Sequence, residues 1–510
     1  MILITSASYI NQELQNEFGR IPPAFLPLKN KRLYEHYNYD STKEQIFISL
    51  PLSYNLDSWD KVNLKRLGYN VIHIDKKLKL GESVAKAISL LPDSTDELKI
   101  IHGDALFYDL TDENDCFIVS NLNENYDWGI ESESGLVYTG YFAIDKINSF
   151  LELLIISKFE FILAVELYKK KFSTPIIPTN FWFDFGHLST YYKSKSNFTT
   201  ERVFNKLEIS KGVVKKSGIN FKMKSEVLWF KNLPSKLRIY TPKLIDYNLN
   251  DEKYNYSIEF KYLSCLNELF VFGALPLHSW KIIFKSCFKV LSLMSFNKID
   301  KHESLSSFVF NKTENRIKDC YPFNLDEKIK YKGLIPISLN EIISSVNQNI
   351  TNEEQLIEVM HGDFCLSNLL FDFRNQQIQM IDPRGSIDGT NHTINGFPSY
   401  DLAKFTHSII GLYDFIVADR FDIIKDNNED SEIIFDLPEQ TLNIQSEFLS
   451  VLEEKNVNLK SIMSICIHLF ISMIPLHDDS PKRQQGFHLN IFRLYKEIIT
   501  YDSITNGRKG

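Results

Sequence analysis

Six cysteines are spread over 510 residues, and no two of them form a C-x-x-C pair. That excludes a zinc site built on paired thiolates. A disulfide framework does not suit so few thiols in so long a chain, and a reducing, cytoplasmic setting is expected. The N-terminal stretch Met1-Ile-Leu-Ile-Thr-Ser-Ala-Ser lacks the charged start and long apolar core of an export signal. No run of about 18 apolar residues is evident, so no membrane insertion is expected. Positive charge is not in excess either. Lys and Arg number 57 against 65 Asp and Glu, a formal net charge of −8. This is the opposite of the basic footprint of a nucleic-acid binder. The short lysine runs at 169–171 and 215–216 read as solvated faces or single functional lysines. No G-x-x-x-x-G-K-[ST] loop exists, which excludes phosphate binding of that kind. No internal repeat is present.

The chain does have apolar mass. Apolar residues make up 44% and charged residues 24%, the balance of a globular protein, and 38 Phe and 24 Tyr can fill large cores. The length exceeds what one core serves, so two or three domains are expected. Over residues 1–200, short β-branched runs at Ile2–Thr5, 45–50 (QIFISL), 70–74 (NVIHI) and Leu98–His102 (LKIIH) are spaced by helical stretches such as 83–91. This pattern predicts βαβ units and a mostly parallel sheet in a Rossmann-like α/β domain. Near residue 201 the pattern changes. Residues 204–209 and 213–217, about a Ser210-Lys211-Gly212 turn, predict an antiparallel hairpin. A helix over 222–232, stopping before Pro234, and a strand over 256–262 follow. Beyond 263 the chain reads as mainly helical apart from 358–384, with an acidic loop at 426–431 and a frayed end at 505–510. The expected divisions are 1–200, 201–262 (a small β-rich lobe) and 263–510 (a helical lobe).

One segment carries the densest chemistry. It reads His361-Gly-Asp363-Phe-Cys-Leu-Ser-Asn368, then Met380-Ile-Asp382-Pro-Arg384. Phosphoryl transfer needs a carboxylate to orient and deprotonate the acceptor hydroxyl, and hard oxygen ligands for Mg²⁺. Asp363 suits the first task. Asn368, five residues on, and Asp382, at the end of a strand over 378–381, suit the second. The pattern H-G-D-x-x-x-x-N followed by I-D-P resembles the aminoglycoside phosphotransferase and choline kinase group, which is similar in fold to protein kinases. The resemblance spans residues 201–510. It implies an α+β, bilobal, protein-kinase-like domain that uses ATP and Mg²⁺ and a small-molecule hydroxyl acceptor. It makes Asp363 the catalytic base, Asn368 and Asp382 the metal ligands, and His361 a member that ties the loop together. Tyr400-Asp401-Leu-Ala fits the group's Asp-Leu-Ala helix start, with Asp401 as an N-cap or loop brace.

A kinase small lobe supplies a lysine to the nucleotide phosphates and a helix glutamate that pairs with it. Lys216 and Glu226 are the best pair. Lys215 and Lys224 compete, because neighbouring strand residues face opposite ways. The turn from Ser210 to Gly212 is placed to cover the phosphates with backbone N–H groups. Residues 259–262, starting at Glu259, are placed to meet the adenine. Arg384 is a candidate for substrate, phosphate or a loop salt bridge. Asp388, Tyr413 and Asp414 are candidates for the acceptor pocket.

The first 200 residues contain four further pieces: Pro22-Pro-Ala-Phe-Leu-Pro27, His102-Gly-Asp104, Val137-Tyr-Thr-Gly140 and Trp182-Phe-Asp184-Phe-Gly186. Their order and spacing resemble a degenerate sugar-phosphate nucleotidyltransferase. The resemblance implies that Asp104 and Asp184 bind a metal. The departures are specific. The family's Gly-rich loop is replaced by Ser6-Ala-Ser-Tyr-Ile, and its lysine aligns with Pro23, with Arg20, Lys29 or Lys31 as substitutes. His187, His407 and the His477-Asp-Asp cluster read as structural. The combined expectation is an ATP-dependent kinase for a sugar or amino alcohol, in bacterial capsule building-block synthesis. One alternative is a bifunctional kinase–nucleotidyltransferase making an NDP-activated unit. The other is a nucleotide-binding pseudoenzyme scaffold. The sequence leaves the oligomeric state open.

Overall fold

The computed structural model describes every residue except 38–43, 76, 93–96, 108–112, 122–128, 198–205, 219–220, 250–253, 319–320, 388 and 508–510. Asp388, Cys320 and the last residues of the tail thus lie outside the described residues. The chain divides into two compact units, one of residues 1–198 with 272–275, the other of residues 199–271 with 276–510.

The first unit is built on a seven-stranded sheet. Its order is Ile176–Pro178, Phe117–Ser120, Val137–Ile144, Leu98–His102, Ile2–Thr5, Ile46–Pro51 and Tyr69–Ile74. Val137–Ile144 runs antiparallel to both neighbours, and the other four pairings are parallel. Ile46–Pro51 is buried along its whole length, as a strand covered on both faces must be. The helix expected at 83–91 lies at Leu80–Ile88. Its start is set by Glu82, whose carboxylate accepts the Lys79 N–H at 2.8 Å. Phe142, Phe150, Phe161 and Tyr168 form the core where helices Ile147–Ile156 and Phe161–Phe172 meet the sheet. A separate two-stranded pairing matters for chemistry. Trp182–Asp184 runs antiparallel to Ala105–Phe107, with Asp184 opposite Ala105.

The second unit opens with a four-stranded antiparallel sheet in the order Lys206–Ser210, Val213–Gly218, Tyr254–Glu259, Leu244–Asn248. The expected hairpin is present. Lys211 (φ 49°) and Gly212 (φ 74°) both adopt the left-handed region, the turn geometry that matches the twist of paired strands. The strand expected at 256–262 lies at Tyr254–Glu259. Leu244–Asn248 was not expected, because its exposed, mixed sequence LIDYN carries no apolar alternation. Helix Phe221–Asn232 follows the hairpin and buries Met223, Glu226, Val227, Trp229 and Phe230.

The remaining lobe is helical, but less purely than expected. Lys298–His302 pairs with Gln355–Ile357, Lys328–Ile329 with Ile337–Ser338, and Asp422–Lys425 with Ser431–Ile434. Strands this short have no readable period, and the acidic loop at 426–431 is the turn of the last pair. Residues 459–477 bear on the expectation of no membrane span. Their mean hydropathy of 1.8 over a helix of that length suffices to cross a membrane, yet 72% of the stretch is buried within the protein. Ile462, Ile465, Cys466 and Leu469 pack against Tyr400 and Ala403 in one core. Ser461, Ser464, His468 and Ser472 interrupt the apolar run and hid it from a count of consecutive apolar residues.

Candidate active site

The segment 361–384 is held by its own backbone groups. Helix Pro398–Ile409 is capped by Phe397, so Asp401 is not its N-cap. Asp401 instead braces the loop: its two oxygens accept the N–H groups of His361 and Gly362, each at 2.7 Å. The buried His361 ring spans the two halves of the segment. Its Nε2 lies 3.0 Å from the Ile381 carbonyl, and the Asp363 N–H reaches its Nδ1 at 3.3 Å. Burial lowers the His361 pKa to about 4, so the ring is neutral and can play both parts. Gly362 adopts φ 77°, and a Cβ there would lie 2.7 Å from the Cβ of Arg384. The glycine is therefore needed both for its conformation and for this approach.

Asp363, Asn368 and Asp382 line one cavity of about 450 Å³. Asn368 donates its amide to the carbonyl and to a carboxylate oxygen of Asp363, each at 3.0 Å. That leaves the Asn368 amide oxygen for another partner. The opposite oxygen of Asp363 lies 2.8 Å from the Lys404 ammonium. Burial disfavours the charge on Asp363, but Lys404 outweighs it and holds the carboxyl well below the usual range. Asp382 sits at φ 55°, a rare conformation for a residue with a side chain. It turns its carboxylate onto Lys216 Nζ at 2.5 Å.

Lys216 is the member of the 215–216 pair that faces inward. Glu226 Oε2 lies 3.2 Å from its ammonium and also accepts the Tyr256 hydroxyl at 2.7 Å. Burial works against the Lys216 charge, but Asp382 and Glu226 raise its pKa above the ordinary lysine value. The competitors are elsewhere. Lys215 is exposed, and Lys224 sits over the Tyr254 ring. Neither Lys216 nor Glu226 lines the cavity itself; they meet it through Asp382. Ser210, Gly212 and Glu259 are absent from its lining. Glu259 donates its N–H to Lys243 and pairs with Lys261 at 2.8 Å.

Sequence reasoning missed Lys222, Lys312, Arg316 and Lys404 on the cavity wall. Lys312 and Arg316 are one turn apart on helix Leu305–Lys318, a spacing that also marks any solvated helix face. His407 and Tyr413 line the cavity too, and Asp414 is buried nearby. The donor set fits a magnesium ion. A carboxylate and an amide oxygen face one cavity, and a cationic group already stands against Asp382.

In the first unit, Asp104 and Asp184 come together at Gly186. A Cβ on Gly186 would lie 2.8 Å from an Asp104 oxygen and 3.2 Å from an Asp184 oxygen. Burial, with Asp184 adding to it, raises the Asp104 pKa to about 7. Paired carboxylates of this kind fit a divalent cation. Among the described residues, no group of three or more His, Cys, Asp or Glu gathers as a metal cluster. In the loop after the first strand, Ser6 is engaged through both its backbone and its side chain. The Ser6 N–H goes to the Ser49 hydroxyl and the Ala24 N–H to the Ser6 hydroxyl, at 3.1 and 3.0 Å. Arg20 stacks on Tyr9, and Lys29 lies in the turn before Lys31–Arg32.

No protein-family model matches the chain, and no curated protein matches it. Among solved structures, the chain is similar to an aminoglycoside-3'-phosphotransferase of type VIII, with 12% identity, 52% of this chain and 90% of that chain covered, and a TM-score of 0.29. It is also similar to HddC from Yersinia pseudotuberculosis (16% identity, 39% and 99% covered, TM-score 0.28). Choline kinase from Cryptosporidium parvum is a third (12% identity, 61% and 89% covered, TM-score 0.29). Likenesses this distant carry no functional argument by themselves. The argument rests on the geometry of the site.

Proposed function

We propose that residues 201–510 form an ATP-dependent kinase that phosphorylates a hydroxyl of a small metabolite. The carrying observation is Lys216, held at once by Glu226 on the small-lobe helix and Asp382 beside the Asp363–Asn368 loop. One ammonium links the sheet, the helix and the loop on which phosphoryl transfer depends.

In this reading Asp363 accepts the acceptor hydroxyl's proton through its oxygens, and Asn368 and Lys404 fix the direction of that carboxylate. Asp382 and the Asn368 amide oxygen would hold Mg²⁺, and Lys216 presents its charge to the nucleotide phosphates. When bound, the magnesium–ATP complex supplies the phosphoryl group and offsets the charge on it. Replacing Asp363 with Asn keeps the hydrogen bond with Asn368 but removes the base. Acceptor-dependent ADP formation should fall by about 10²–10⁴-fold, while calorimetry still reads ATP binding. Undiminished turnover would sink the mechanism.

A second activity is favoured by the convergence of Asp104 and Asp184. In that reading, residues 1–200 form a nucleotidyltransferase-type domain that activates the phosphorylated product with an NTP, and the pair of steps serves capsule building-block synthesis. The replacement of the Gly-rich phosphate loop by Ser6-Ala-Ser-Tyr-Ile weighs against it. The test is pyrophosphate release from NTP plus phosphorylated product.

A further inference from the structure

The cavity is cationic on one side. Lys312, Arg316 and Arg384 lie on it, and among the described residues none of the three has a carboxylate partner within ion-pair distance. Lys312 and Arg384 both reach the same neutral group, the Tyr400 hydroxyl. The other cations of the site are compensated. Lys404 faces Asp363, and Lys216 faces Asp382 and Glu226.

Lys216 stands apart from the cations around Lys312. The charges that act most strongly on Lys216 are those of Asp382 and Glu226. Those acting on Lys312 are Arg384, Lys404, Asp363 and Arg316. Asp363, to which the acceptor hydroxyl must come, thus belongs with the uncompensated set. Burial lowers the Lys312 pKa well below the ordinary lysine value, and its cationic neighbours add to that. Such crowding of like charge costs stability unless an anion completes it. His407 gives an independent sign of a missing ligand. It lines the same cavity, is only 2% exposed, and neither ring nitrogen has a hydrogen-bond partner. A neutral imidazole offers one donor and one acceptor, which suits hydroxyl groups.

We infer that the acceptor is a polyhydroxy compound already bearing a phosphate monoester, with Arg316, Arg384 and Lys312 holding the phosphate and His407 a hydroxyl. This rests on the kinase reading of the same cavity. Two guanidinium forks and an ammonium match a dianionic phosphate better than a carboxylate. The site is poorly suited to a cationic amino alcohol or amino sugar, which would meet the guanidinium groups of Arg316 and Arg384.

The test uses the full-length protein saturated with Mg²⁺ and a non-hydrolysable ATP analogue. Calorimetry then compares a panel of hexose monophosphates with the parent hexoses, with amino sugars and with gluconate. Binding of the analogue itself reports on the kinase reading, so failure there is told apart from failure of this inference. At least one hexose monophosphate should bind tenfold or more tightly than its neutral parent, with affinity falling as salt rises. The doubly substituted Lys312→Gln/Arg316→Gln protein should lose that tenfold. Without ligand its melting temperature should equal or exceed that of the unsubstituted protein, since crowded charge has been removed. The inference is overturned if neutral, amino or carboxylated sugars bind as well as the phosphates, or if none binds. It is equally overturned if the double substitution leaves phosphate binding intact or lowers the melting temperature by several degrees.

Discussion

The kinase reading requires Asp363 to be ionised before it accepts a proton, and Lys404 favours that ionised form. The carboxyl lies in a partly closed cavity, where burial alone would raise its pKa. The ammonium at 2.8 Å reverses that. Removing the cation with Lys404→Met should therefore raise the Asp363 pKa. The acid limb of the kcat profile should move to higher pH, a shift read from initial rates across pH 4–9. An unmoved limb would mean that Lys404 does not tune the base. Asp414 is the opposite case. Burial raises its pKa to about 7, and one of its oxygens has no hydrogen-bond partner. A carboxyl whose folded pKa is raised stabilises the protein fully below its unfolded pKa, near 4, and loses that contribution as pH rises to about 7. Asp414→Asn escapes the loss. It should melt several degrees above the parent protein at pH 8, with the difference shrinking steadily as the pH is lowered towards 4, by thermal denaturation. Asp363, Asn368, Asp382, Lys216 and Glu226 could be named from the order of residues, because their spacing is local or set by strand pleat. Lys312, Arg316 and Lys404 could not, because a lysine four residues from an arginine looks the same on a solvated helix.

Elements decide how closely these residues approach. Helix Phe221–Asn232 carries Glu226 and touches the chain just after Asp382, where a Cβ on Gly385 would lie 2.1 Å from the Ser225 carbonyl oxygen. Gly385 also has φ 63°. Gly385→Ala thus meets both a strained backbone and a backbone clash. It should cost about 2 kcal/mol or more in urea denaturation, and the ATP affinity should fall as Asp382 moves away from Lys216. The hairpin around Lys211 and Gly212 was legible because its turn chemistry is local. The strand Leu244–Asn248 was not, since its pairing with Tyr254–Glu259 depends on the partner rather than on its own pattern. The helix Leu459–Met473 shows the same limit from the other side. Its composition suits lipid or protein equally, and only its packing on Ala403 and Tyr400 identifies which neighbour covers it.

At the scale of the molecule, two sets of acidic residues occupy two separate units. Asp104 and Asp184 lie in the first, and Asp363 and Asp382 in the second. If both units are active, the chemistries should be separable. Asp104→Ala should stop pyrophosphate release from NTP and phosphorylated product while acceptor-dependent ADP formation continues. Asp363→Asn should do the reverse when phosphorylated product is supplied. Pyrophosphate release that survives Asp104→Ala would leave the first unit without a catalytic role for that carboxylate. The five described cysteines with a recorded state are all unbridged.

The sequence by itself determined which chemistry is available. Local order sets the His361–Asp363 loop, the Asn368 and Asp382 positions and the alternation of strands and helices in the first unit, because each depends on spacings of a few residues. The tertiary structure alone decided which charges meet. Lys312, Arg316 and Lys404 lie far from Asp363 along the chain, and only packing of the Leu305–Lys318 and Pro398–Ile409 helices brings them to it. Electrostatic energy depends on separation in space and on burial, neither of which is written in the order of residues. The Asp363 carboxylate was therefore readable from the chain, while Lys312, Arg316 and Lys404 on the wall facing it became visible only when the helices were in place.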